Sequence, residues 1–379
     1  MLRFAPYILK NIWRHRTRTL LTVSGAAVAL FVFSFVGAIS HGLDELTQGK
    51  QSERSLIVFQ ANRFCPFTSK LPEDYAGRIG KLPGVREVVP IQVYMNNCRA
   101  SLDVVVFHGI PPEKLRSARE LHLVSGSWDE FEKHRDAALV GQAVARRRGL
   151  SIGQRFSIGE LSVTVAGIFQ GAPAEENFVY TQLEFLQRTR GLHAVGTVTQ
   201  FEVRLTNDAD AETVAHAIDD VFRGSQIVTD TRPRGVFEAN AVGDLVDLIR
   251  FADYLGYACV GLVLTVVATT TVMAVQDRVR EHALLQTLGF SGPRIFGLVV
   301  TESLLVSLAG GLLGVGLALG FLAFSGLAVG TEGVTIAFLP SWSLLTTGLL
   351  VSAVVGVLAG VFPAWQAGWA EIVASLRQV

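Results

Sequence analysis

The amino-acid sequence predicts a membrane α-helical fold: four transmembrane helices, with an extracytoplasmic α+β domain inserted between the first two. Three observations lead there. Four stretches lack charge over the roughly 20 residues that a helix needs to cross about 30 Å of hydrocarbon. Charge is concentrated in one internal block, and Lys and Arg gather on one side of the apolar stretches. Half of the 379 residues are hydrophobic and 17% are charged. Residues 41–250 carry 24 Lys+Arg and 27 Asp+Glu, whereas residues 251–379 carry only four and six. A water-soluble block is therefore spliced into a membrane protein. The block is slightly acidic and its basic residues are scattered, which excludes a nucleic-acid footprint.

In chain order, residues 1–19 read as a cytoplasmic amphipathic helix, with Ile8, Leu9, Ile12 and Trp13 on one side and Lys10, Arg14 and Arg18 in an i, i+4, i+8 stripe. The stripe serves either topology alone or a contact with a partner. Residues 20–40 form the first span. Ala38-Ile39-Ser40 resembles a cleavage site, but the apolar core is longer than the 7–15 residues of a signal peptide, so the span is expected to persist in the mature chain. Residues 41–235 form the external domain, in which short β-like and helical runs alternate from Leu56–Phe59 to Ala211–Phe222, as one α+β module or two. Residues 236–276 contain no Pro and keep a three-to-four-residue apolar spacing through Val242, Leu245, Ile249, Ala252 and Leu255. They are expected to form one continuous helix of about 60 Å, with about 30 Å projecting outward as a stalk and the rest forming the second span. Residues 277–293 hold a short cytoplasmic helix, 294–325 the third span, 326–343 an outer loop, 344–365 the fourth span and 366–379 a cytoplasmic tail.

Orientation follows from the short flanking segments. Arg3, Lys10, Arg14, Arg16 and Arg18 precede the first span, Arg278, Arg280 and Arg294 lie between the second and third, and Arg377 lies in the tail. The loop between the third and fourth spans has no Lys or Arg. Both termini are thus cytoplasmic, and the large domain lies outside the cytoplasm.

The segment from Gln276 to Gly289 has a helical period and ends on a Gly suited to the C′ position. It is either a connector or a helix presented to a cytoplasmic partner. Glu302 is the one ionisable residue well inside an apolar span, which makes it a functional candidate by default. It either reaches the interface or pairs with Arg294 or Arg278, or it takes part in substrate passage or proton coupling. Small residues four apart, at Gly310/Gly314, Gly316/Gly320 and Gly356/Gly360, allow close helix contact within the chain or at a dimer seam. Cys65 and Cys98 lie in the oxidising external block and form a candidate disulfide. No phosphate-cradling G-x-x-x-x-G-K-[ST] run occurs, no H-E-x-x-H or paired C-x-x-C marks a metal site, and no catalytic residues are assigned.

The run VQDRVREHALLQTLGFSGPRIFGLVVTESLLVSLAGGLLGVGLAL, residues 275–319, resembles the FtsX-like permease domain, in which R-E-x-x-x-L-x-x-L-G precedes a span rich in Glu and Gly. NIWRHRTRTLLTVSGAAVAL is similar to that family's N-terminal span, LVGQAVARRRGLSIGQRFSIGELSVTVAGIF to its external domain and GVLAGVFPAWQAGWAEIVASLR to its last span and tail. The resemblance is to ABC transporter permeases of the MacB/FtsX type. It implies a homodimer, or a pair with a sister permease, bound to ABC ATPase subunits that hold the ATP and Mg this chain has no motif to bind. It also implies that Arg280, Glu281, Leu284, Leu285, Leu288 and Gly289 form the ATPase-coupling segment. His282 and Ala283 stand where the family often has Gly or Ile.

The expectation is therefore a non-enzymatic transport subunit that passes ATP-driven motion to its external domain and extrudes or releases an amphipathic or lipid-like substrate, with a periplasmic adaptor as a further candidate partner. The alternative is a transmembrane regulator of an external partner such as a cell-wall hydrolase. A secondary transporter is disfavoured, since one intramembrane carboxylate and no visible inverted repeat offer little for ion coupling.

Overall fold

The computed structural model describes residues 14, 16–48, 54–63, 68–95, 105–325, 327–331, 334–338 and 340–369. They fall into two compact units. The membrane unit takes in the described residues of Met1–Ser40, Leu248–Phe324 and Pro340–Val379, and the external unit those of His41–Asp247 and Ser325–Leu339.

Among the described residues the first element is helix α1 (Arg16–Gln48), followed by β1 (Ser55–Gln60), β2 (Leu71–Pro72), α2 (Tyr75–Ile79), β3 (Val85–Met95), β4 (Val106–Ile110) and α3 (Pro112–Ala118). It continues through β5 (His122–Gly126), α4 (Trp128–Lys133), β6 (Ala137–Gly141), α5 (Gln142–Arg148), β7 (Arg155–Ile158), β8 (Leu161–Gln170), β9 (Phe178–Gln182) and α6 (Leu183–Thr189). Then come β10 (Thr197–Val198), β11 (Gln200–Leu205), α7 (Ala211–Phe222), β12 (Thr229–Pro233) and α8 (Arg234–Ala241). The last part is α9 (Gly243–Gln276), α10 (Val279–Thr287), α11 (Gly292–Ser325), the hairpin β13 (Ala328–Thr331) and β14 (Val334–Ala337), and α12 (Trp342–Gly368). Four of these helices, α1, α9, α11 and α12, are long and apolar enough to cross a membrane.

The external unit is built on one ten-stranded mixed sheet, in the order β12-β1-β11-β3-β4-β9-β6-β8-β5 with β7 paired to β8. The 11-residue β3 joins its two halves, pairing with β11 through Val85–Ile91 and with β4 through Gln92–Met95. On one half, α2 and α7 cover a core that includes Tyr75, Ile79, Phe201, Ile218 and Phe222. The other half has apolar cores on both faces. The central strands there are closed to water on both sides, and β4 (VFHGI) and β6 (AALVG) are buried at every position.

The membrane unit is held by small residues. A side chain at Gly310 or Gly314 on α11 would collide with Ala26 or Ala27 of α1, and one at Gly356 or Gly360 on α12 would strike the α11 turns around Ser303 and Ser307. Gly316 and Gly320 meet nothing within the described chain. Ser307 Oγ donates to the Ser352 carbonyl at 2.7 Å and Ser352 Oγ returns a bond to the Ser307 carbonyl at 2.6 Å, so α11 and α12 are stitched by reciprocal polar contacts in hydrocarbon.

The structure corrects the expectation of an unbroken helix over 236–276. Helix α8 stops at Ala241, Val242 sits at φ −103°, ψ 9°, and α9 starts afresh at Gly243. A one-residue interruption leaves the apolar period almost undisturbed, so the spacing gave no sign of it. The 34 residues of α9 span about 51 Å, leaving about 20 Å beyond the hydrocarbon instead of 30 Å. The segment between the third and fourth spans, expected as an outer loop, carries the β13–β14 hairpin.

Candidate functional site: the cytoplasmic helix and its anchor

Helix α10 is short and closed by its sequence. Gly289 adopts φ +93°, a conformation that disfavours any side chain, and its amide donates to the Gln286 carbonyl while the Phe290 amide reaches the Leu285 carbonyl, each at 3.0 Å. These two bonds form a Schellman closure, with Leu285 and Phe290 packing together in the usual accompanying contact.

The closure fixes which face looks inward. Leu285 packs with Phe290 against Val275, Ile295, Val299, Ala364 and Ala367 of the membrane unit, and Ala283 and His282 are buried. Leu284 and Leu288 are 55% and 78% exposed, although they lie outside the spans. Arg280 is exposed. Glu281 pairs with Arg14 at 3.0 Å, and Asp277 just before the helix pairs with Arg18 at 2.8 Å. Two members of the basic stripe thus meet one acid in the first turn of α10 and one just before it, and Lys10 lies outside the described residues. Such exposed pairs contribute about 0–1 kcal/mol each and orient more than they stabilise.

The stronger anchor lies deeper. Arg278, at the N-cap of α10, directs Nη1 at both oxygens of Glu302 on α11, at 3.2 and 3.0 Å, with side-chain exposures of only 6% and 15%. Of the partners expected for Glu302, the structure selects Arg278. The pair borders a cavity of about 40 Å³ that is also lined by Arg18, Thr22, Thr270, Thr271 and His282. A space of that size admits a few water molecules. The buried Nδ1 of His282 has no protein partner. Burial and the neighbouring Arg278 push its imidazole below the usual range.

Cys65 and Cys98 lie outside the described residues, and among the described residues Cys259 is a free thiol. No group of three or more metal-ligating side chains forms among them. Sequence reading missed a second buried feature, in the external unit, where Arg119, Glu175, Glu202, Arg234 and Glu238 come together from four separate places in the chain.

A short helix braced by a buried ion pair thus belongs to a four-helix unit whose chain is interrupted by an α+β domain. Residues 19–221 match the MacB-like periplasmic core domain and residues 255–372 the FtsX-like permease C-terminal domain. The chain belongs to the MacB/FtsX-type ABC transporter permeases, multi-pass proteins of the cytoplasmic membrane with a large external domain. It is 22% identical to an uncharacterized ABC transporter permease of Methanocaldococcus jannaschii over 94% of this chain and 93% of that one. It is also 22% identical to the pyoverdine export ATP-binding/permease protein PvdT of Pseudomonas syringae pv. syringae, over 96% of this chain but only 58% of the relative. The crystal structure of the periplasmic region of MacB from Actinobacillus actinomycetemcomitans superposes with a TM-score of 0.38 at 10% identity, covering 52% of this chain and 97% of that one.

Proposed function

We propose that this permease receives ATP-driven movement from a cytoplasmic ATPase chain at α10 and transmits it to the external domain, extruding or releasing an amphipathic or lipid-like substrate. The observation that carries this reading is the pairing of exposed Leu284 and Leu288 on one face of α10 with the Arg278–Glu302 anchor and the Leu285 contact on the other. Exposed leucines outside hydrocarbon favour a partner surface, and the buried anchor gives a push on that surface something rigid to act on. The names of relatives that combine ATP-binding and permease functions support an ATPase partner. In this reading a second copy or a sister permease completes the transporter, ATP and Mg stay with the ATPase, and an adaptor outside the membrane receives the substrate.

Replacing Leu284 or Leu288 with Asp tests it, because each would bury an unpaired carboxylate at the partner surface while leaving insertion intact. The expected result is normal membrane abundance with weakened ATPase co-purification. Undiminished co-purification of both variants would place the ATPase contact elsewhere.

A further inference from the structure

The external unit buries a charged cluster that the permease reading does not use. Arg119, just past α3, grips Glu202 on β11 with two bonds at 2.9 and 2.5 Å. Its Nε lies 3.0 Å from Glu175 Oε1, a charge contact not aligned as a hydrogen bond. Arg234 on α8 bonds Glu238 one turn on at 2.7 Å and faces Glu202 at 3.8 Å. Beside them is a cavity of about 50 Å³, which Val334 and Thr335 of the β13–β14 hairpin also line. The hairpin is tied in turn to its surroundings: Thr335 Oγ1 donates to the Ala174 carbonyl at 3.0 Å, and the outer turn of α1 packs Gly42 so tightly on the Ala337 carbonyl that no side chain would fit. The chain segments that lead to the spans therefore meet near this cluster.

We propose that Arg119, Glu202, Arg234 and Glu238 are positioning residues that lock α8 to the sheet, so that the helix leading into the second span and the ten-stranded sheet move as one body. A buried charge network has one good seating. Sliding α8 along the sheet would leave charges unpaired where water hardly reaches, whereas an apolar contact of equal area tolerates such a slide. Phe237 supplies that apolar contact, packing on Ile57 and Phe59, so the seat itself does not depend on the charges. What the network adds is a single allowed position.

The test is a distance measurement on the full chain in lipid nanodiscs without nucleotide, so its outcome does not depend on the ATPase reading. With Cys65, Cys98 and Cys259 replaced by Ser, spin labels go on Val236→Cys in α8 and Glu212→Cys in α7, both exposed positions. The parent is expected to give a single narrow distance distribution. Arg234→Met/Glu238→Leu, which removes the charges and keeps the volume, is expected to broaden it and add a second population at unchanged helix content. Arg234→Gln, a milder change, covers the case in which the double variant misfolds, and is expected to broaden the distribution less. Distributions as narrow as the parent's in the variants that fold, or a broad distribution in the parent itself, would overturn the lock.

Discussion

Arg278→Met is the most informative single change at the inner end of the membrane unit. The guanidinium faces both Glu302 oxygens at 3.0 and 3.2 Å, and neither side chain is more than 15% exposed. With charge centres about 4 Å apart and an effective dielectric near 20, the attraction is about 4 kcal/mol, and removing one partner from a buried pair costs about 3–5 kcal/mol because the other stays stranded. The loss falls on the seating of α10, which Arg278 caps. Hydrogen exchange of the α10 amides, measured on the full chain in nanodiscs, should therefore accelerate about a hundredfold if local opening becomes easier by about 3 kcal/mol. Arg278→Met/Glu302→Leu removes both charges and should recover most of the protection, since an apolar replacement of a buried pair is often neutral. Additive effects in this double-mutant cycle, with coupling under about 0.5 kcal/mol, would refute the anchor.

Glu238 and Glu202 should respond to pH in opposite senses. Burial dominates at Glu238 and raises its carboxyl above the ordinary value, against the pull of Arg234, so its favourable contribution is complete below that value and lost as pH rises through the folded pKa. Glu238→Gln, permanently neutral, should match or exceed the parent's melting temperature at pH 7, with the difference closing in acid; a large loss at pH 7 would contradict this. Arg119 and Arg234 overcome burial at Glu202 and hold it at about 2, so its contribution is present at neutral pH and is lost as pH falls from about 4.5 toward 2. Glu202→Gln should therefore cost several kcal/mol at pH 7 and progressively less in acid, read from the same melts. Gly314→Leu should lower the folded yield sharply by driving a side chain into Ala27, while Gly316→Leu, which meets open space, should not; equal yields would show that α1 does not pack there.

Length, charge partition and Lys/Arg placement made the four membrane helices legible, because each rests on a strong transfer free energy read along one dimension. The cap at Gly289 was legible too, since a left-handed residue after a helical period has few alternatives. What escaped was set by pairing across the chain. Strands β6 and β9 were missed because both faces of the sheet are covered and no alternation survives. The charged cluster was invisible because Arg119, Glu202 and Arg234 are far apart in sequence, and each alone reads as a solvated surface residue. Among the leucines of α10, the spacing left open which would turn inward. Leu285 does so, as the residue whose carbonyl accepts the closing bond from Phe290.

The closure at Gly289 also sets the phase of everything downstream. Only Phe290 and Ser291 separate it from the start of α11 at Gly292. Each residue added there would rotate α11 by about 100° relative to α10. One insertion would carry Glu302 away from Arg278 and, by the same turn, swing Gly310 and Gly314 off α1 and Ser307 off Ser352. Natural length variation should therefore be excluded from this short reversal and tolerated in the outer segments. The tight turn acts as an indexing stop, and a deletion scan across residues 289–291 would find it far less forgiving than any single substitution on the surface of α10.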